Sequence, residues 1–162
     1  MYKVGIITIS DRSYKGERKD ESGPYIKTKI QESGWSVVNY KIIPDDEEII
    51  KETLLKYVME KIDLILTTGG TGPSERDVTP EATKKVIEKE IPGICDIIRI
   101  KTFEKTPNSV LSRGIAGIKN KSLIINMPGS VKAVKEYLEI ILLFIPHALE
   151  TIRGEKDVHQ KV

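Results

Sequence analysis

Two aspartates and a glycine-rich segment are the residues of this sequence whose types could support chemistry on a phosphate. Asp45 follows an apolar run, and residues 69–77 combine three glycines with Arg76 and Asp77 at their end. Glycines allow positive φ and let backbone N–H groups approach an anion, as in phosphate-binding loops. Mg²⁺ usually takes one or two carboxylates from a protein and completes its octahedron with water and substrate phosphates. Asp45 and Asp77 beside Arg76 therefore indicate positioning and charge neutralisation for a displacement at phosphorus.

The glycine segment matches neither of the common phosphate-binding fingerprints. A Walker loop requires Gly-Lys and then Ser or Thr after four intervening residues, and this segment lacks them. Glu75 stands where a dinucleotide fingerprint that starts at Gly70 requires its third glycine. On the glycines alone, a tight turn is an equally good interpretation. The residues that follow the glycines favour the functional one.

A second candidate anion site lies in the run Asn126-Met127-Pro128-Gly129-Ser130. It places a glycine and a hydroxyl at the start of a predicted helix, where unsatisfied N–H groups and the helix dipole favour an anion. A plain strand-to-helix turn capped by Ser130 explains these residues equally well. Thr102, Ser112 and Arg113 add hydroxyls and a cation, but their positions in space cannot be read from the sequence.

The elements that must position these residues alternate between apolar β-branched runs and stretches of helical period. This pattern predicts the α/β fold class, with one domain and a mainly parallel sheet that carries helices on both faces, a Rossmann-like arrangement of three layers. The predicted strands are 4–9, 35–43, 62–68 and 121–126. The predicted helices are 24–33, a helix capped by Asp46, 79–90 with Thr79 as its cap, 94–103, and a long helix that begins at Ser130, is kinked or divided at Pro146 and ends at Gly154. Residues 111–118 fit a strand or a loop, and we expect a domain over 1–154 with a polar tail over 155–162.

The candidate residues follow the ends of predicted strands. In an open parallel sheet, ligands bind beyond the carboxyl ends of the strands. The segments that begin at Ser10, Pro44, Gly69 and Asn126 should therefore meet at one edge of the sheet.

Composition restricts the class of partner. Basic and acidic residues number 26 and 24 and form no long block of one sign, so nothing indicates DNA, RNA or a membrane as a partner. The apolar start, residues 1–9, lacks a cleavage-type pattern and is interpreted as a first strand, which indicates a cytoplasmic protein. Cys95 is the only cysteine, which excludes an intramolecular disulfide, and we expect a buried structural thiol.

The longest motif, from Thr67-Thr68-Gly69-Gly70-Thr71-Gly72-Pro73 through Arg76-Asp77-Val78-Thr79-Pro80-Glu81-Ala82-Thr83, resembles the signature of the MogA/MoaB family. Shorter matches at residues 10–12, 20–24, 43–45, 111–113 and 126–130 extend the resemblance over nearly the whole chain. It implies an α/β domain that forms trimers, or hexamers made from trimers. It also implies transfer of AMP from Mg-ATP to molybdopterin with release of pyrophosphate, ahead of metal insertion by a separate enzyme.

The resemblance also implies roles for particular residues. Asp45 and Asp77 match the two important acidic positions of the family and would be the catalytic pair associated with Mg²⁺. The implied nucleotide contacts are Ser10, Asp11, Gly69, Gly70, Asn126, Pro128, Gly129 and Ser130. The pterin phosphate would lie near Thr71, Thr102 and Ser112.

Two other functions stay open at the level of sequence. One is a non-catalytic molybdopterin-binding or scaffold protein of the MoaB type, which this chain resembles in length. The other is a nucleotide pyrophosphatase like the related CinA-type domain. The retained Asp45 and Asp77 favour the transferase, because a pure binder gains nothing from two carboxylates beside a phosphate-bearing substrate unless a metal lies between them. Neither the metal of the pathway, molybdenum or tungsten, nor the choice between trimer and hexamer follows from the residues.

Overall fold

Alternating strands and helices form a six-stranded sheet in the computed structural model, which describes residues 1–155. The strands are β1 Lys3–Ile9, β2 Ser36–Ile43, β3 Leu64–Thr68, β4 Lys89–Glu90, β5 Ala116–Lys119 and β6 Ser122–Met127. The helices are α1 Asp11–Tyr14, α2 Ser22–Glu32, α3 Glu47–Met59, α4 Thr79–Lys84, α5 Pro92–Phe103, α6 Val131–Ile141 and α7 Ile145–Arg153, with a short 3₁₀ helix at Pro107–Leu111. The expected tail over 155–162 lies, apart from its first residue, outside this range.

The strand order is β2-β1-β3-β6-β5-β4, and the first four of these strands are parallel. β5 runs antiparallel to β6, and β4 runs antiparallel to β5. Ile9 is in register with Ile43, and Thr68 pairs with both Thr8 and Met127. Because these strand ends are aligned, the four loops that follow them meet at one edge of the sheet.

Both faces of the sheet are covered by helices, as predicted. Ile6, Leu66 and Ile125 belong to a core formed with α2, α5, α6 and α7. Ile7, Ile65 and Ile124 belong to a second core formed with α3 and α4. Successive strand residues alternate between the two cores because side chains of a strand point to opposite faces. Burial of each such Ile or Leu contributes roughly 1.5–3 kcal/mol, which makes this central layer the main source of stability.

The predicted caps at Asp46 and Ser130 and the predicted helix ends at Gly34 and Gly154 are confirmed. The Asp46 carboxylate accepts the Ile49 N–H at 3.0 Å, and the Ser130 hydroxyl accepts the Ala133 N–H at 3.2 Å. Gly34 follows α2 with φ of 80°, and Gly154 ends α7 with φ of 74°, values that glycine adopts without steric cost.

The predicted helix over 79–90 is wrong in both its cap and its length. Val78 is the N-cap, and Thr79 lies inside the first turn, where its hydroxyl donates instead to the Gly69 carbonyl at 2.9 Å. The helix ends at Lys84, and Lys89–Glu90 form β4. The flanking N–H groups of Glu88 and Ile91 donate to β5 carbonyls at 2.8 Å, so pairing with the sheet outweighs local helical period. In the ambiguous run 111–118, Leu111 ends the 3₁₀ helix, residues 112–115 form a loop, and residues 116–118 belong to β5.

Cys95 lies on α5, and its environment tests the expectation of a structural thiol. Cys95 is buried, as predicted, and burial raises the pKa of its thiol to about 11. Within residues 1–155, none of the helices is long and apolar enough to cross a membrane.

Candidate active site

Two adjoining pockets open at the edge of the sheet where the parallel strands end. The first has a volume of about 440 Å³ and lies among the loops that follow β1, β2, β3 and β6. The second, of about 500 Å³, lies between the glycine segment, the 3₁₀ helix and α6. The residues that line both pockets are Gly70, Asp77, Gly129 and Ser130.

Glycines form part of the pocket surface at the strand ends, and at Gly69 and Gly70 the surrounding atoms leave no room for a side chain. Gly69 has φ of 101°, and a Cβ on it would lie 2.2 Å from the Ile9 carbonyl oxygen. Gly70 has φ of 67°, and a Cβ on it would lie 3.1 Å from Asp45 Oδ1. A Cβ on Gly129 would come within 3.4 Å of Gly69 Cα. Gly69, Gly70 and Gly129 line the first pocket, so this part of its surface is formed by backbone rather than by side chains.

Asp45 is held at the pocket by Asp11. The Asp11 N–H donates to Asp45 Oδ2 at 2.9 Å, and the Asp45 N–H donates to Asp11 Oδ1 at 3.0 Å. Arg76 binds the remaining oxygen of Asp11 through both Nε, at 3.0 Å, and Nη2, at 2.7 Å. Three βα loops are joined by these contacts.

Asp77 is held within its own loop. Its Oδ2 accepts from the Ser74 hydroxyl at 2.7 Å and from the Ser74 N–H at 3.2 Å. Arg113 binds the loop from outside, because it donates to the Gly72 carbonyl at 2.9 Å and to the Asp77 carbonyl at 2.8 Å. Arg113 also pairs with Glu81 on α4.

The electrostatics of the carboxylates follow from these contacts. Burial raises the pKa of Asp45, and the charges of Asp11 and Asp77 add to that effect. The hydrogen bond from Arg76 lowers the pKa of Asp11. Asp11 is therefore a stable anion, whereas Asp45 carries a charge that its surroundings disfavour.

The two pocket carboxylates are the candidate ligands for a magnesium ion. Among residues 1–155, Oδ1 of Asp45 and Oδ1 of Asp77 accept no hydrogen bond, so each has an oxygen available for a ligand. That part of the chain contains no cluster of three or more His, Cys, Asp or Glu side chains that could hold a metal by itself. A pair of carboxylates suits Mg²⁺, which leaves its other positions to water and substrate phosphates.

The residues predicted to contact nucleotide divide into two groups. Five of them line the first pocket together with Asp45 and Asp77, namely Ser10, Gly69, Gly70, Gly129 and Ser130. Asp11, Asn126 and Pro128 do not line that pocket.

Each of these three exceptions has another contact. The Asp11 carboxylate is bound by Arg76 and by the Asp45 N–H. Asn126 is fully buried, donates to the hydroxyls of Thr67 and Thr83 and accepts the Ile115 N–H, so its side chain is bound within the protein. Pro128 lines the second pocket instead.

Thr71, Thr102 and Ser112, predicted to lie near the pterin phosphate, all line the second pocket. The Thr102 hydroxyl donates to the Ile98 carbonyl at 2.7 Å, as a buried helical threonine does. The Ser112 hydroxyl is 3.4 Å from the Tyr137 hydroxyl, and Tyr137 lines the same pocket.

Asp20 also lines the first pocket, although it is not among the site residues predicted from the sequence. It accepts the Thr8 hydroxyl at 2.7 Å, the N–H groups of Ser22 and Gly23 at 3.1 Å, and the Tyr40 hydroxyl. It thereby fixes the start of α2 against β1 and β2. The available sequence signal was an aspartate placed just before a predicted helix, which is a position typical of capping.

Comparisons with known proteins show which family has this sequence. The family described as "Probable molybdopterin binding domain" matches residues 5–147. A molybdopterin adenylyltransferase of Helicobacter pylori strain J99 is 42% identical over 154 residues, which cover 93% of this chain and 88% of that protein.

Solved structures show the same similarity. The molybdopterin biosynthesis enzyme MoaB of Thermus thermophilus has a TM-score of 0.90 at 42% identity, over 96% of this chain and 98% of that one. The tungsten cofactor synthesizing protein MoaB of Pyrococcus furiosus has a TM-score of 0.88 at 38% identity, over 94% and 98%. The match spans both pockets and all four loops at the sheet edge, so the chain belongs to the family of probable molybdopterin-binding domains.

Proposed function

We propose that this protein is a molybdopterin adenylyltransferase that transfers AMP from Mg-ATP to molybdopterin and releases pyrophosphate, in molybdenum or tungsten cofactor biosynthesis. The observation that carries the proposal is the pair of adjoining pockets with Asp77, Gly70, Gly129 and Ser130 between them. Two substrates that react with each other need two sites with a common wall, and a binder of one ligand needs a single site. The name of the Helicobacter pylori relative, a molybdopterin adenylyltransferase, supports the same activity.

ATP would occupy the first pocket. Its phosphates would face the backbone of Gly69 and Gly70 and the N-terminus of α6, whose cap is Ser130. The unsatisfied N–H groups and the dipole of the α6 N-terminus favour an anion there. The Gly69 N–H does not contribute, because it donates to the Met127 carbonyl at 3.0 Å. Lys132 lines the same pocket and adds a positive charge.

Asp45 and Asp77 would hold the Mg²⁺ of Mg-ATP through the oxygens that accept no hydrogen bond within residues 1–155. A bound Mg²⁺ neutralises charge on the phosphates and orients them for an in-line displacement. The chain's own contribution is to fix the two carboxylates. Asp11 and Ser74 each bind one oxygen of a carboxylate, so its other oxygen keeps a defined direction.

Molybdopterin would occupy the second pocket. Thr71 and Ser112 offer polar groups for its phosphate, and Tyr137 and Leu111 offer apolar surface for its ring system. In the reaction, a phosphate oxygen of the pterin forms a bond to the α-phosphorus of ATP, and the bond from that phosphorus to pyrophosphate breaks. Because both pockets meet at Asp77, the reacting atoms would lie between them.

We further propose that the chain acts as a cytoplasmic homotrimer or hexamer and passes its product to a molybdenum-insertion enzyme. Large apolar side chains are exposed on α5, at Ile97, Ile100 and Phe103, and on the 3₁₀ helix that contacts α5, at Val110 and Leu111. Of these residues, Leu111 lines the second pocket. An exposed apolar patch of this kind indicates an interaction surface. We assign it to a second copy of the chain and treat residues 1–154 as the catalytic domain.

The experiment that tests the function follows both products with purified molybdopterin, ATP and Mg²⁺. Pyrophosphate and adenylylated pterin should appear in equal amounts. Asp45→Ala and Asp77→Ala should each lower the rate by more than about tenfold, because each removes a metal ligand. Asp46→Ala is the matched control, since this neighbouring carboxylate caps α3 at its start and does not line either pocket.

Other results of this experiment would favour a different function. Binding of pterin without any adenylyl product would replace the transferase with the scaffold function. Release of pyrophosphate without adenylylated pterin would favour a pyrophosphatase. Unchanged turnover in a folded Asp45→Ala or Asp77→Ala variant would remove that residue from catalysis.

A further inference from the structure

Asp11 has contacts that differ from those of a ligand-binding residue. Oδ1 accepts the Asp45 N–H at 3.0 Å, and Oδ2 accepts two donors of the Arg76 guanidinium at 3.0 and 2.7 Å. Its backbone N–H donates to Asp45 Oδ2 at 2.9 Å. Both carboxylate oxygens are therefore bound within the protein, and the side chain does not line the first pocket. An anion placed there would also repel the phosphates of a nucleotide.

The contacts of Asp11 connect the loops that carry both pocket carboxylates. Asp11 follows β1, Asp45 follows β2, and Arg76 directly precedes Asp77 in the loop after β3. The reciprocal bonds between Asp11 and Asp45 satisfy one N–H of each loop and occupy Asp45 Oδ2. The other oxygen of Asp45 is then left beside Gly70, where a Cβ would lie 3.1 Å from it.

The geometry of the Arg76 contact separates it from ordinary surface pairs. The Arg76 side chain is 68% exposed, and an exposed ion pair with a single contact contributes little. Here two guanidinium nitrogens converge on one oxygen of a carboxylate that is only 28% exposed and is itself hydrogen-bonded to a second loop. Such a charge-assisted hydrogen-bond network restrains the positions of its side chains more than an isolated ion pair does.

We propose that Asp11 is a positioning residue that orients the Asp45 carboxylate toward the metal. Through Arg76, it also holds the glycine segment, with Asp77, in a fixed position relative to Asp45. It does not contact the nucleotide. The effect on turnover rests on the adenylyltransferase function proposed above, whereas the effect on loop order and metal affinity does not.

Amide hydrogen exchange tests the network without reference to activity. In Asp11→Ala, segments 43–47 and 72–78 should both exchange faster, by about tenfold or more, because the Asp45 N–H loses its acceptor and Arg76 loses its partner. In Arg76→Ala only segment 72–78 should change. Lys29→Ala removes a comparable exposed ion pair at 2.7 Å on α2 and is the control. Exchange at the wild-type rate in both segments of Asp11→Ala would overturn the proposal.

Binding measurements distinguish positioning from nucleotide contact. With metal removed by a chelator, ATP affinity in Asp11→Ala should stay within about threefold of wild type, because Asp11 does not touch ATP. The affinity of the protein–ATP complex for Mn²⁺, measured by its paramagnetic signal, should fall by about tenfold or more. The double variant Asp11→Ala/Arg76→Ala should lose no more than Asp11→Ala alone, since both act through one network.

The results also separate this proposal from the function on which turnover depends. A large change in metal-free ATP affinity with unchanged loop exchange would make Asp11 a nucleotide ligand and overturn the positioning role. If the wild-type protein makes no adenylylated pterin, the proposed function fails, while exchange and Mn²⁺ affinity still decide the role of Asp11.

Discussion

The Asp45 carboxyl has a raised pKa and lines the first pocket. Burial is the main cause of the raised pKa, and the nearby charges of Asp11 and Asp77 are further causes. A carboxyl whose pKa is raised by folding stabilises the fold most below its ordinary pKa, and this contribution is lost as pH rises through the raised value. At neutral pH the charge of Asp45 therefore lowers the free energy of unfolding. Such a cost is typical of residues retained for function.

Asp45→Asn should consequently separate stability from activity. An asparagine oxygen can still accept the Asp11 N–H, and the uncharged amide avoids the desolvation cost. The variant should unfold at the same temperature as wild type or higher at pH 7, lose this advantage near pH 4, and have little transferase activity. Thermal unfolding at both pH values measures this, with Asp46→Asn as the control, because asparagine caps a helix as well as aspartate does. A clear loss of stability in Asp45→Asn at pH 7 would contradict the role of burial.

At the scale of elements, the glycine segment is shaped by what packs against it. Gly69 lies against the end of β1, and its carbonyl accepts the Thr79 hydroxyl from α4. The same threonine explains why the predicted cap is wrong. Its hydroxyl donates to the Gly69 carbonyl in the preceding loop and does not accept an N–H of its own helix. Local capping preference is weaker than a buried contact with another element.

Gly69→Ala should destabilise the fold and disorder the segment. A left-handed conformation costs a residue with Cβ roughly 1–2 kcal/mol, and the 2.2 Å approach to the Ile9 carbonyl adds a backbone clash. Gly93→Ala is the matched control, because a Cβ on this residue of α5 would meet nothing within 4 Å. Denaturant unfolding compares the two variants. Equal stability of Gly69→Ala and wild type would show that the loop can move away from β1.

At the scale of the whole molecule, two cores share one central sheet, and the sheet edge that carries the pockets lies close to the exposed apolar patch on α5 and the 3₁₀ helix. Leu111 belongs to both the patch and the second pocket. Association of copies through this patch would therefore bring a neighbouring chain close to the proposed pterin site.

Phe103→Glu should reduce the mass of the particle in solution. The wild-type protein is expected at three or six chain masses by sedimentation equilibrium, and a charge in place of an aromatic ring that is 50% exposed should dissociate it, because burying an unpaired charge is costly. Met59→Glu, at an 82% exposed site at the end of α3, should leave the mass unchanged. A wild-type monomer, or a Phe103→Glu variant of wild-type mass, would reject this interface.

Sequence by itself was enough to determine the α/β class, the parallel strands, the caps at Asp46 and Ser130, and the approach of Asp45 to Asp77. These features depend on period, on capping within one turn, and on the rule that parallel strands end at one edge. The catalytic and binding roles assigned to individual residues stay predictions.

Packing of the whole chain sets four features that local patterns do not predict: the strand order, the edge strand at Lys89–Glu90, the inward direction of Asn126, and the pairing of Asp11 with Arg76. Each depends on partners distant in the chain, since 65 positions separate Asp11 from Arg76 and 59 separate Asn126 from Thr67. The same motif residues could have faced a ligand or another loop, and only packing of the remote segments selects between these alternatives. Short-range sequence patterns do not predict such contacts, because the contacts form only when the sheet brings the loops together.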